Sequence, residues 1–201
     1  MKTQTLNSFR VAVMPIAIAV SLIAAMTLLE SCKSGGESKT NDSTQAAPIK
    51  APEIDIHTAV LSENMDAVKQ HIAAGSNLNE KDPFGGSSPL ITAALFDKKE
   101  MVKVLLDAGV DINFQNNDGS TALHVAAFFC RPEIVKLLLD KGADKTIQNR
   151  FGATALQSVE APFADVKSAY DMMGQMLAPM GLKLDYTYIE KTRPEIATML
   201  K

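Results

Sequence analysis

The residue types that most often carry chemistry are few in this sequence. Its three histidines, His57, His71 and His124, have no second ligand or nucleophile at a spacing that metal sites or catalytic triads use. There is no glycine-rich phosphate loop, and the carboxylates are scattered singly along the chain. We therefore expect a protein that is not an enzyme, with no catalytic residue, no cofactor and no small-molecule substrate.

Methionines near the C-terminus form a second group with possible chemistry. Met172, Met176 and Met180 are spaced four residues apart, which places them on one face of a helix, and Met173 lies beside them. Thioether sulfur favours Cu(I), so copper binding is one alternative function. Methionine also fills gaps in cores and forms adaptable binding surfaces. We favour that second interpretation and assign no metal ligand.

The N-terminal residues have the layout of an export signal. Two basic residues precede an apolar run from Val11 to Leu29. The run ends in Leu29-Glu30-Ser31-Cys32, which resembles the lipobox of bacterial lipoproteins except at Glu30. The resemblance implies that residues 1–31 are a signal peptide, that Cys32 is lipidated, and that the protein is anchored in the bacterial cell envelope, facing the periplasm or the cell surface.

Two other interpretations of this segment stay open. About 20 apolar residues can span a bilayer, so the run also fits an uncleaved anchor, and ordinary secretion is the third alternative. Residues 32–52 are polar and rich in Ser, Lys, Gly and Pro, which predicts a flexible tether. Once Cys32 is acylated, Cys130 has no partner for a disulfide within the chain, and a buried free thiol is expected.

The charge of the chain gives no sign of nucleic-acid binding. The formal net charge is -3, and the basic residues are scattered without forming a block. We therefore expect no nucleic-acid partner. The expected partners are another protein and, through the lipid anchor, a membrane.

From residue 53 onward the sequence repeats itself, and the repeat predicts the fold. Residues 121–127 (TALHVAA) align with residues 88–94 (SPLITAA) at an offset of 33 residues. Residues 135–142 (VKLLLDKG) align with residues 102–109 (VKVLLDAG) at the same offset.

These units resemble the ankyrin repeat, which consists of a β-turn and two antiparallel helices. The resemblance implies an all-α ankyrin-repeat solenoid over residues 53–201. Three repeats are recognisable, at about 53–86, 87–119 and 120–152, and residues 153–201 are predicted to form a divergent repeat with a helical cap. His124, and His57 at the matching position, are then expected to bond the backbone of an adjacent loop.

The helix boundaries have recognisable signals within each unit. Ser88-Pro89 and Thr121 are predicted N-caps of first helices, and Asp97 with Glu100 resembles a capping box for a second helix. Left-handed glycines are predicted to end the second helices, and leucines to fill the core between units. The glycines are Gly75, Gly109 and Gly142, and the leucines are Leu90, Leu105, Leu106, Leu123, Leu137 and Leu138.

The last unit departs from the repeat pattern. A longer helix is predicted for residues 163–178, stopped by Pro179 and Gly181. A final short helix is predicted from about Pro194 to Leu200, and it resembles the second helix of a repeat.

Two surfaces are predicted to bind the partner. The first is an apolar patch after the alanine pairs, toward the concave face, formed by Leu95, Phe96, Phe128 and Phe129, unless the C-terminal segment with Tyr186 and Tyr188 covers it. The second is the strip of turn tips, with Phe114, Gln115, Asn117 and Arg150. The expected function is a protein-interaction module of the cell envelope. An accessory or immunity-type protein for one exported enzyme is an alternative.

Overall fold

The computed structural model describes residues 49–201 of the chain. The predicted signal peptide, Cys32 and most of the tether lie outside the described residues, so these stay predictions. Across residues 49–201, no helix combines the length and the apolar character that a membrane span requires.

The described residues form nine α-helices and one 3₁₀ turn. The helices are α1 (Ile56–Leu61), α2 (Met65–Ala73), α3 (Pro89–Leu95), α4 (Lys99–Asp107), α5 (Ala122–Phe128), α6 (Pro132–Asp140), α7 (Gln157–Glu160), α8 (Phe163–Leu177) and α9 (Tyr186–Leu200), and the 3₁₀ turn is Ala178–Met180.

Most of the predicted helix boundaries are confirmed. Ser88 and Thr121 cap α3 and α5 with their side-chain oxygens, and Pro89 and Pro132 take the first helical positions of α3 and α6. The three glycines that follow α2, α4 and α6 are left-handed, with φ of 68°, 77° and 84° at Gly75, Gly109 and Gly142.

The predicted capping box at Asp97 is wrong. Lys98 is the N-cap of α4 and makes no side-chain capping bond. Asp97 lies one residue earlier with φ of 57°, in the left-handed turn between α3 and α4. Because that turn fixes the backbone of Asp97, its carboxylate does not cap the helix. It lies at the surface, 3.6 Å from the Arg131 guanidinium.

The helices stack in two layers. The first layer contains α1, α3, α5 and α7, each in contact with the next, and the second layer contains α4, α6 and α9 in the same succession, with α2 packed on α1. The paired alanines 93–94 and 126–127 are fully buried, which allows the first-layer helices to approach closely. Four of the predicted core leucines are buried, and Leu106 and Leu137 are half-buried against the same core.

The fourth unit is interrupted by an insertion, and its last helix is the second helix of a repeat, as the sequence predicted. Helix α9 packs on both α6 and α7, so it is the second helix of the fourth unit. The Pro-Glu-Ile sequence that starts α6, residues 132–134, recurs within α9 at residues 194–196. Helix α8 and the 3₁₀ turn therefore lie between the two helices of one unit.

The last helix is also longer than predicted. The sequence predicted a start near Pro194, but α9 begins at Tyr186, capped by the Asp185 side chain, and contains Pro194 in its interior. The helix extends backward because the insertion, and not a tight turn, precedes it. Helix α8 matches the predicted helix, and Gly181 follows it in a left-handed conformation with φ of 91°.

Candidate interaction surfaces

Each turn tip is built around one side chain that accepts backbone hydrogen bonds. Asp82 accepts from the N–H groups of Phe84, Gly85 and Ser87 at 2.7–2.8 Å. Asn116 and Asn149 do the same in the next two tips, each accepting from the residues two and four positions later at 2.9–3.1 Å. Burial raises the pKa of Asp82, but these three bonds outweigh it and hold the pKa below its ordinary value.

Neighbouring tips are joined to one another by their backbones. The Asn117 N–H donates to the Gly85 carbonyl and the Arg150 N–H donates to the Asp118 carbonyl, both at 2.9 Å. A Cβ at Gly119, where φ is 71°, would lie 3.0 Å from the backbone nitrogen of Arg150. The tips therefore form one hydrogen-bonded strip whose geometry is fixed before any partner arrives.

The most exposed large apolar side chains of the described region lie on this strip. Phe84 is 88% exposed and Phe151 is 74% exposed. Phe84 directly precedes Gly85, and Phe151 follows Arg150. Neither was chosen as a site residue from sequence, although both follow a side chain that organises an Asx turn, at positions where the core does not require an apolar residue.

The predicted tip residues have mixed environments. Asn117 and Arg150 are exposed. Gln115 is also exposed, but its amide donates to the carbonyls of Gly119 and Gln148 at 2.6 and 3.3 Å, so it links two tips. Phe114 is half-buried against the core, and Lys81 lies 5.6 Å from the centre of its ring. Their role in partner binding stays a prediction.

The predicted apolar patch is not a free surface in its second half. Leu95 and Phe96 are half-buried, as is Phe128, but Phe129 is only 3% exposed. Phe129 is therefore covered, which is the alternative that the sequence left open, and Tyr170 of α8 is packed against it. Of the two tyrosines that the sequence named, Tyr186 packs in the same cluster, with its ring 6.1 Å from that of Phe163, whereas Tyr188 is exposed.

Tyr170 packs against the two phenylalanines through both its ring and its hydroxyl. Its ring stacks on Phe128 with centroids 4.3 Å apart and meets Phe129 edge to face at 6.5 Å. Its hydroxyl donates to the Phe128 carbonyl and accepts from Arg193 Nη1 at 2.8 Å. Burial raises the pKa of Tyr170 to about 12, so the hydroxyl stays protonated and keeps this donor role.

Arg193 belongs to a series of cations that begins in the second unit, with Lys98 and Arg131 at the matching positions of the second and third units. Glu63, Asp97 and Cys130 all follow a first helix with φ of 54–57°. Lys98 pairs with Glu63, and Arg131 lies near Asp97. The third unit has Cys130 in place of an acid, and Arg193 is buried and donates instead to Tyr170 and to the carbonyls of Ser158 and Ala161.

The histidines have the structural roles that the repeat implies. Nδ1 of His124 accepts from the Thr121 N–H at 3.3 Å, and Nε2 then donates to the Ala153 carbonyl of the next tip at 3.1 Å. Burial lowers the pKa of His124, which keeps the ring neutral for these bonds. His57 bonds the Glu80 carbonyl in the same way at 3.0 Å. Gln157 copies half of this arrangement by accepting from the Thr154 N–H.

Cys130 and the methionines differ sharply in exposure. Cys130 is a buried free thiol, and burial raises its pKa to about 11, which leaves little thiolate at neutral pH.

Met172, Met176 and Met180 are all exposed, along the side of α8 and its 3₁₀ turn. Their solvent-facing position is one of the two features that copper binding needs. The other is convergence of the three sulfur atoms.

Comparison with known proteins gives a consistent assignment for the repeated units. A family model described as "Ankyrin repeats (3 copies)" matches residues 56–149. The DNA-binding protein RFXANK of Homo sapiens is 35% identical over 66 residues, which are 33% of this chain and 25% of that protein. The ankyrin repeat domain of Bcl-3, a member of the IkappaB family, has a TM-score of 0.50 and 33% identity, covering 51% of this chain and 45% of its own. The chain therefore spans less than half of either relative.

Proposed function

Because residues 56–149 form an all-α ankyrin-repeat solenoid, as the sequence predicts, we propose that this protein is a non-catalytic module that binds another protein through its turn-tip strip. The observation that carries the proposal is the exposure of Phe84 and Phe151 on tips that their own backbone bonds hold rigid. Large aromatic side chains on a preorganised surface contribute strongly to binding, because they bury area without much loss of conformational entropy.

The chemistry between the two phenylalanines favours a mixed interface. Asn117, Asp118 and Arg150 lie on the tips between them and offer an amide, a carboxylate and a guanidinium. This arrangement matches the common plan of aromatic anchors with a polar rim. Leu95 and Phe96 extend the available surface toward the concave side as half-buried apolar contacts.

Site-specific photocrosslinking in the native cell envelope tests the surface. The photoreactive p-benzoylphenylalanine is placed at Phe84, at Phe151 or, as a control, at Lys103, which is exposed on α4. We expect the same protein to be crosslinked from positions 84 and 151 and not from position 103. If position 103 alone gives a product, or the two tips give unrelated products, the strip is not the binding surface. An exported enzyme as the common product would favour the accessory or immunity-type alternative.

The proposed location is the bacterial cell envelope, with a lipid on Cys32 as the anchor. This part rests on the resemblance of residues 29–32 to a lipobox. Metabolic labelling with a fatty acid and membrane fractionation test it. The wild-type chain should carry label and sediment with membranes, whereas Cys32→Ala should lose the label. Labelling that persists in Cys32→Ala would contradict the assignment.

A second candidate function is Cu(I) binding, favoured by the exposure of Met172, Met176 and Met180, which are spaced four residues apart along α8 and its 3₁₀ turn. Competition against a chromophoric Cu(I) chelator under anaerobic conditions gives the affinity. The candidate requires that one equivalent binds to the full chain and that replacement of the three methionines by leucine abolishes binding without loss of helicity. No binding tighter than micromolar would remove this candidate.

A further inference from the structure

Helix α8 is an addition to a unit that is complete without it. The two helices of the fourth unit, α7 and α9, contact each other directly, and α9 also packs on α6. The contacts that close the solenoid therefore bypass α8. Its two ends leave the unit at Pro162 and at Gly181, where φ is 91°.

The attachment of α8 to the solenoid is small for its length. Of its fifteen residues only Tyr170 is fully buried, and the other inward positions, among them Phe163, Val166 and Leu177, are half-buried. Helical stability in proteins comes mainly from tertiary packing of an apolar face. A helix with one fully buried side chain and few contacts with the solenoid helices belongs to the elements that open before the rest of the fold does.

The surface under α8 has the composition of a binding site. It presents the Phe128 and Phe129 rings, the Phe128 carbonyl at the end of α5, and the Arg193 guanidinium. Arg193 is held independently of α8, because its Nη2 donates to the carbonyls of Ser158 and Ala161 at 3.3 and 2.8 Å. Opening of α8 would therefore expose two aromatic rings beside a positioned cation.

We propose that α8 is a displaceable lid over an aromatic docking site at the C-terminal end of α5, and that a tyrosine-bearing amphipathic helix of a partner protein replaces it there. The helix α8 itself shows the chemistry that fits. An aromatic ring stacks on Phe128, and a phenolic hydroxyl both donates to the Phe128 carbonyl and accepts from Arg193. The inference rests on the proposed function as an interaction module, but it concerns a surface that is separate from the turn tips.

Native-state hydrogen exchange on the full chain gives the first test. We expect amides of α8 to exchange at least 100-fold faster than amides of α5 and α6, because the lid opens while the solenoid stays folded. Equal exchange rates in α8 and α5 would overturn the proposal, since they would mean that α8 opens only when the whole domain unfolds.

Binding of a helix in trans gives the second test. A fluorescent peptide of residues 162–181 is titrated against the wild-type chain, the variant Tyr170→Ala and the control Tyr188→Ala, in which an exposed tyrosine is removed. We expect the peptide to bind Tyr170→Ala at least tenfold more tightly than the other two chains, and a peptide with Tyr170→Ala not to bind. Equal affinities for all three chains, or a self-associated dimer of the wild type in place of binding, would contradict the proposal.

These outcomes are independent of the turn tips. If crosslinking from Phe84 and Phe151 fails while the peptide binds Tyr170→Ala, the tip surface is wrong and the lid stands. If Tyr170→Ala does not fold, the hydrogen-exchange comparison on the wild type still decides.

Discussion

The close approach of neighbouring turn tips makes Gly119→Ala a sharp test of the stacked geometry. Gly119 has φ of 71°, which an alanine adopts at a cost of about 1 kcal/mol. Its new Cβ would also lie 3.0 Å from the Arg150 nitrogen and 3.3 Å from the Asn149 backbone. Because these are backbone atoms, the next tip must shift, which weakens the bond from Arg150 N–H to the Asp118 carbonyl by about a further 1 kcal/mol.

Gly152→Ala is the matched control. Gly152 has the same place in the following tip and φ of 72°, but a Cβ there would have no neighbour within 4 Å. We expect Gly119→Ala to lower the free energy of unfolding by about 2 kcal/mol and Gly152→Ala by about 1 kcal/mol. Urea unfolding followed by circular dichroism measures both. Equal losses, or a smaller loss for Gly119→Ala, would refute the argument that the tips are in backbone contact.

Three further predictions concern the titrating groups of His124, Cys130 and Asp82. Burial depresses the pKa of His124, so its contribution to stability is present at neutral pH and is lost as the pH falls below the unfolded value of about 6.5. His124→Gln, which copies Gln157, should therefore flatten the dependence of the unfolding free energy on pH below about 6.5, and an unchanged slope would contradict it. Burial raises the pKa of Cys130 to about 11, so its thiol should react slowly at pH 8. In a Cys32→Ser variant, we expect the reaction with a thiol reagent to be on the order of 100-fold slower in the folded chain than in urea. Comparable rates would mean that the thiol is accessible. The depressed pKa of Asp82 gives the wild type about 1–2 kcal/mol of stability above pH 4, which is lost as the pH falls through the folded pKa. Asp82→Asn should remove this contribution, as acid titration of the unfolding free energy of the two chains would show. Parallel pH curves for the two chains would exclude a stabilising role for the Asp82 carboxylate.

The sequence by itself determined the elements whose signals are local. The 33-residue period, the N-caps Ser88 and Thr121 and the left-handed glycines lie within a few residues of the backbone groups that they satisfy, so pattern alone located the first three units. The role of His124 followed from the same pattern, because its bonding partner lies in the adjacent tip. The export signal and the lipid anchor are also predicted from local pattern, and they stay predictions because the structure does not describe those residues.

Only the tertiary structure decided which apolar side chains are covered. Phe129 and Phe151 are alike in type, but α8 folds back over the first and leaves the second in solvent. The packing of α8 on the end of α5 was hidden for the same reason, since Tyr170 and its partner Phe128 are far apart in sequence. Burial at those positions depends on contacts between distant segments, and hydrophobic association has no directional signal in the local sequence from which such contacts can be predicted.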